Sequence, residues 1–187
     1  MYHLNLFLVR HGEDEDNAKH IINGHRETGL TVLGRKQAKE AGERLRDEKI
    51  EVFYSSPLRR AVETAQIIKE VIDRPNFNFK TFSLLAERDF GILTGKEEKE
   101  KPKYASHLLA WDGAVHFWGV KGEENFPKLL IRAQRVLSYM ERRHYNKTIL
   151  LVAHFEIGKM IEAAYYGWSW QRALKTPFFK NGEIIRL

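Results

Sequence analysis

The chain has 187 residues, of which 43% are hydrophobic and 30% charged, enough for one well-cored domain at the usual roughly 100–200 residues per domain. No apolar run approaches the roughly 18 residues of a membrane span, and no signal peptide is read at the N-terminus, so a cytoplasmic location is expected and a membrane partner is not. Zero Cys excludes disulfides and thiolate metal sites, and the net charge of +6 (31 − 25) comes from interleaved Lys and Glu rather than a basic stripe, so nucleic acid is not an expected partner either.

The first element is the apolar run Leu6-Phe7-Leu8-Val9, whose length and bounding Gly suit a strand buried on both faces of a parallel sheet. It ends at Arg10-His11-Gly12. Ligands of open α/β sheets bind beyond the carboxyl ends of the strands, which puts Arg10 and His11 at the mouth of a pocket. On their own these residues also fit a surface turn. An acidic stretch, Asp14-Glu15-Asp16-Asn17, leads to a short helix or turn, and Asn23-Gly24 marks another turn. A long helix is expected from Thr31 as N-cap to about Lys49, with Leu33, Gln37, Ala38, Ala41 and Leu45 on one face.

Val52-Phe53-Tyr54 reads as a second strand. Ser56 as N-cap and Pro57 at the first helical position then start a helix with an apolar stripe through Leu58, Ala61, Ala65, Ile68 and Ile72. Arg59 and Arg60 in its first turn oppose the helix dipole, and an anion held between Arg60 and the helix start would resolve the conflict. Phe77 and Phe79 suggest a third strand. The charged segment 95–103 and the aromatic segment 104–122, with Trp111, Phe117 and Trp118, show no clean period; residues 95–125 read as an insertion or lid. Pro127 begins a further helix. Thr148 to Ala153 repeats the buried-strand signature and ends at His154, a helix follows over about Glu156–Tyr166, and Glu183–Leu187 suggests a last strand. Strands alternating with helices define an α/β sandwich with a mainly parallel sheet, in one domain.

His11 and His154 thus end two buried strands on the same sheet edge, with Arg10 and Arg60 beside them and Asn17 and Glu87 within reach. Such a set suits phosphoryl transfer: guanidinium groups neutralise the non-bridging oxygens, a neutral imidazole attacks phosphorus, and a carboxylic acid protonates the leaving oxygen. Each residue also has a plainer reading: His154 as a satisfied buried histidine, Asn17 as a helix cap, Glu87 paired with Arg88 or a loop lysine.

The segments Arg10-His11-Gly12-Glu13 with Asn17, Leu30-Thr31-x-x-Gly34-x-x-Gln37-Ala38, Ser55-Ser56-Pro57-Leu58-Arg59-Arg60-Ala61, Leu85-Ala86-Glu87-x-Asp89-Phe90-Gly91 and Val152-Ala153-His154, in this order over almost the whole chain, resemble the histidine phosphatase superfamily, the phosphoglycerate mutase-like proteins. The resemblance implies a three-layer α/β/α fold, and that His11 becomes a phosphohistidine and Glu87 donates the proton. It further implies that Arg10, Asn17, Arg60 and His154 hold the phosphoryl group, with Gly24 as a weaker candidate to lend a backbone amide. No metal or other cofactor is implied, and the expected substrate is a small phosphorylated metabolite. Departures from the family pattern are Asp14, where Thr or Ser is usual and where a carboxylate repels an anion unless it points to solvent, Phe155 in place of Gly, and Leu93-Thr94 where Trp and Glu are common. The leading reading is a phosphomonoester phosphatase. A phosphoglycerate mutase-type phosphotransferase, a catalytically degraded phosphate-sensing or protein-binding module, and a metal-dependent phosphatase using Asp14 or Asp16 are the alternatives.

Overall fold

The run Leu6–Val9 divides between two faces. In the computed structural model of the protein, which describes residues 2–74, 76–177 and 179–187, it lies in strand β1 (Asn5–Arg10) and all four side chains are buried. Side chains alternate across a strand. Leu6 and Leu8 accordingly join one hydrophobic cluster with Leu129, Leu137, Met140, Ile157 and Ile161, while Phe7 and Val9 join another with Ala41, Leu45, Ala65 and Ile68.

The chain continues from β1 through α1 (Glu15–Ala18), α2 (Val32–Leu45), β2 (Val52–Ser55), α3 (Arg59–Ile72) and β3 (Lys80–Thr81). After a stretch of 3₁₀ turns come α4 (Lys101–Tyr104), β4 (His107–Trp111), β5 (Ala114–Trp118), α5 (Phe126–Arg143), β6 (Thr148–Ala153), α6 (Phe155–Tyr166), α7 (Trp170–Ala173) and β7 (Ile184–Arg186). The main sheet has the order β3-β2-β6-β1-β7, with β7 antiparallel at the edge and the other pairs parallel. The two clusters place α2 and α3 on one face and α5, α6 and α7 on the other, so the expected three-layer sandwich is what forms.

Several local expectations are corrected. α2 stops at Leu45, and Leu33 is half exposed because the buried face runs through Gly34, Ala38, Ala41, Gly42 and Leu45. Phe77 and Phe79 precede the third strand rather than form it; they stack on Phe53 at 5.5 and 5.4 Å and pack against the α2/α3 cluster, while β3 pairs Lys80 with Tyr54. Helix α3 begins at Arg59 with Leu58 as its N-cap, so Ser56 is not a helix cap. The aromatic segment 104–122 contains a two-stranded antiparallel hairpin, β4–β5, turning at Asp112-Gly113 with φ of 45° and 80°. An Asp-Gly pair with left-handed φ between apolar runs is a strong hairpin signal, and the irregular spacing of the aromatic residues obscured it.

The hairpin is tied to the main body by Arg88, whose side chain is fully buried. Its guanidinium lies over the rings of Phe90, Phe117 and Phe126 at 4.9, 4.7 and 4.4 Å, pairs with Glu123 at 3.0 Å and donates to the Phe117 carbonyl at 2.8 Å. The loop after β1 is equally constrained. A Cβ on Gly12 would stand 2.2 Å from the Gly34 carbonyl oxygen, and one on Gly34 would stand 2.0 Å from the Glu13 carbonyl oxygen. Alanine in a helix is favoured over glycine by roughly 1 kcal/mol, but backbone pressed on backbone does not yield cheaply. Gly34→Ala should therefore lower stability by at least about 1 kcal/mol despite its better helix propensity; a raised thermal midpoint would contradict the close approach.

Candidate active site

Parallel pairing of β1 with β6 sets Arg10 opposite Ala153, so the residues that follow, His11 and His154, leave the sheet side by side. Their ring centroids are 4.9 Å apart, and the His11 amide donates to the Ala153 carbonyl at 3.0 Å. His11 Nδ1 is 2.7 Å from the Gly12 carbonyl oxygen, which only accepts, so Nδ1 carries the proton and Nε2 presents its lone pair. Arg60 Nε lies 3.3 Å from that Nε2. Burial first, then the charges of Arg60 and Arg10, hold His11 well below the ordinary histidine range, so it is neutral.

Arg60 is fully buried at the start of α3. Its Nη1 donates to the Arg26 carbonyl at 3.0 Å and Nη2 to the Gly24 carbonyl at 2.7 Å, while Asp14 approaches Nε at 3.2 Å. Gly24, at φ 48°, thus uses its carbonyl to aim Arg60. Asp14 does not point to solvent: it is fully buried, takes the amide of Asn23 as well as the Arg60 charge, and caps α1 through the Asn17 amide at 2.8 Å. The arginines at the start of α3 meet carboxylates of the protein itself, Asp14 for Arg60 and Glu63 for Arg59 at 2.8 Å.

Arg10 is held from three sides. Nη1 donates to the Phe179 carbonyl at 2.6 Å, its guanidinium carbon lies 5.1 Å from the Phe155 ring centroid, and its backbone carbonyl accepts from Gly182 at 3.0 Å. Burial pushes its pKa down to about 10, against the pull of Glu87 and Asp14, which leaves it charged at neutral pH. Ser56, released from helix capping, places its hydroxyl 2.7 Å from His154 Nε2 and accepts the Leu58 amide at 3.2 Å, whereas His154 Nδ1 is buried with no hydrogen-bond partner. Asn17 accepts from Asn181 Nδ2 at 3.1 Å, and that same amide reaches the His11 carbonyl at 3.0 Å. Asn181-Gly182 is a turn dipeptide whose contact with the site the sequence does not announce.

Glu87 is buried beneath the N-terminus of α6. Its carboxylate accepts the amides of Arg88 at 2.8 Å, Ile157 at 3.2 Å and Glu156 at 3.3 Å, and its carbonyl accepts from Arg132 at 3.2 Å with His25 Nε2 at 2.7 Å. Burial and then the Glu156 charge raise its pKa above the ordinary value, against the amides and Arg60. It does not pair with the Arg88 side chain, which turns the other way to the hairpin.

A cleft of about 370 Å³ opens onto this edge, lined by Arg10, Asn17 and Glu87 at its floor and by Lys101, Ala114 and Phe117 from the 95–125 segment. Asn23, Glu98 and Glu156 also line it, while His11, Arg60 and His154 are buried outside the lining. Among the described residues, no group of three or more His, Asp or Glu side chains is placed to hold a metal ion, and no helix is long and apolar enough to cross a membrane.

A sheet edge that brings together a neutral histidine, a second histidine, two guanidinium groups and a buried carboxyl has the chemistry to bind a phosphoryl group, and the comparisons with known proteins give the family. The family profile described as histidine phosphatase superfamily (branch 1) matches residues 6–187, and the chain belongs to that superfamily. It is similar to the phosphoglycerate mutase of Schizosaccharomyces pombe, at 34% identity over 184 residues covering 96% of this chain and 82% of that one. It is also similar to phosphoserine phosphatase 1 of Hydrogenobacter thermophilus, at 31% identity over 150 residues covering 80% and 70%. Among solved structures, Bacillus stearothermophilus YhfR aligns with TM-score 0.81 at 25% identity, over 97% of this chain and 89% of that one.

Both site histidines are held well below their ordinary pKa: burial comes first for each, then the Arg60 charge, with Arg10 acting in the same direction on both. As pH falls through about 6.5, the unfolded chain takes up protons that the native state refuses, so stability declines. The thermal midpoint should therefore drop between about pH 7 and pH 5, and His154→Gln should flatten that dependence. An identical slope in the variant would contradict a neutral, buried His154.

Proposed function

We propose that the protein is a phosphomonoester hydrolase that works through a phosphohistidine on His11, needs no metal, and acts on a small phosphorylated metabolite. The observation that carries this is the His11 ring itself: Nδ1–H fixed on the Gly12 carbonyl, Nε2 unprotonated, and Arg60 and His154 beside it in one buried site. Nε2 attacks phosphorus, the bond from phosphorus to the ester oxygen breaks, and Glu87 as the carboxylic acid passes its proton to that oxygen. Glu87, now a carboxylate, takes a proton from water as its oxygen attacks phosphorus; the phosphorus–nitrogen bond breaks and inorganic phosphate leaves. Arg10 and Arg60 neutralise the non-bridging oxygens, Asn17 offers its Nδ2 donors, and the unpartnered His154 Nδ1 supplies a further N–H to the phosphoryl group. To receive that group, Arg60 Nε exchanges its long bond to His11 for a phosphoryl oxygen.

The whole chain acts as one domain in this reading, with residues 95–125 forming the wall that closes over the leaving group. A mutase-type phosphotransfer is the second reading, favoured by the 34% identity to a phosphoglycerate mutase over nearly the full chain. Assays with 3-phosphoglycerate and a bisphosphoglycerate primer separate the two: isomerisation without phosphate release would favour the mutase.

With p-nitrophenyl phosphate, hydrolysis should persist in EDTA and fall by roughly a thousandfold or more in His11→Ala. Wild-type turnover in that variant would overturn the reading. Glu87→Gln should slow an alkyl phosphate by roughly 10²–10⁴-fold and p-nitrophenyl phosphate, whose leaving group needs little protonation, by less. An equal loss on both substrates would argue against Glu87 as the acid.

A further inference from the structure

Beside the cleft lies a buried pair that the mechanism does not use, of which Glu156 reaches the lining. Glu156, in the first turn of α6, is 4% exposed, and His116, from β5 of the hairpin, is 1% exposed. Glu156 Oε1 lies 3.2 Å from His116 Nδ1, and the His116 ring stacks on Phe155 at 5.5 Å and 13°. The outer atoms of both groups, Glu156 Oε2 and His116 Nε2, are buried without hydrogen-bond partners. A carboxylate oxygen left bare in a buried site is costly unless its charge serves another group. The nearest candidate is Glu87, whose Oε2 accepts the backbone amide of Glu156 itself at 3.3 Å.

Resting on the phosphohistidine reading, we propose that Glu156, fixed by His116, is a positioning residue that acts through Glu87, keeping Glu87 in its proton-donating form. Burial raises the Glu87 carboxyl above its ordinary value, while three backbone amides and Arg60 pull the other way by favouring the carboxylate. The like charge of Glu156, whose own backbone amide binds Glu87 Oε2 at 3.3 Å, adds to burial against them. Arg10 from β1 and Arg60 from α3 face Glu87 as cations, and Glu156 from α6 faces it as an anion. Glu156 in turn faces His116 from β5, Arg88, and Lys159 on its own helix; these outweigh its burial and hold it below the ordinary glutamate value, opposite in direction to Glu87. The hairpin is in this way part of the acid's machinery: its His116 holds the residue that keeps the acid charged with a proton.

The test is the pH dependence of kcat/KM for an alkyl phosphate, with wild type, Glu156→Gln and His116→Gln. The basic limb, where Glu87 loses its proton, should move to lower pH by about one unit in Glu156→Gln and in the same direction in His116→Gln. A uniform fall at every pH, with the limb unmoved, would mean a merely structural role and would overturn the proposal. An independent readout is the carbon-13 resonance of the Glu87 carboxyl in labelled protein, assigned by its loss in Glu87→Gln. It should titrate at lower pH in Glu156→Gln than in wild type; coincident titrations would overturn the proposal whether or not the protein hydrolyses phosphate. A wild-type protein inactive on every phosphomonoester would instead overturn the hydrolase reading.

Discussion

A guanidinium with no exposed surface is the constraint on which the site depends. Arg60 must find partners for its charge and its N–H groups or the fold loses several kcal/mol. It finds them in the Gly24 and Arg26 carbonyls, the Asp14 carboxylate and the His11 ring. Those partners come from the loop after β1 and from the segment between α1 and α2, so one buried charge fixes the path of both. The Gly12–Gly34 contact locks the same loop from the other side. What results is a histidine held neutral by burial and by the two guanidinium charges beside it.

The second organising feature is division of labour between the sheet and its additions. Adjacent parallel strands β1 and β6 bring His11 and His154 together without any further device. The acid comes from elsewhere. Glu87 is set by Arg132 of α5, which binds the Leu84, Ala86 and Glu87 carbonyls, and by the amides at the start of α6. Arg88, the next residue, faces away and anchors the hairpin through three aromatic rings. Successive residues in one segment therefore serve, in the proposed mechanism, the chemistry and the wall above it.

Much of this is legible in the sequence because strand burial and strand-end residues obey local rules. The runs before His11 and His154 are apolar enough to be read as two-face strands, and parallel pairing then dictates proximity. What was not legible depends on partners distant in sequence. Asp14 reads as a repulsive carboxylate until Arg60, 46 positions on (60 − 14), is seen to bury against it. Ser56 reads as a helix cap because Ser-Pro is a common start, yet the β2 end turns its hydroxyl to His154. Phe77 and Phe79 alternate like strand residues but are spent on Phe53 before the strand begins. The pairing of His116 on the hairpin with Glu156 at the start of α6 has no sequence signal, since the two lie 40 positions apart (156 − 116).

The most direct test of the phosphohistidine is to quench a reaction with a phosphorus-32-labelled substrate under alkaline conditions and map the label by peptide. A label that is stable in alkali, released by acid and confined to the peptide carrying His11, and that disappears in His11→Ala, is the expected result. Steady hydrolysis with no labelled protein, or label on a different residue, would contradict the covalent role of His11.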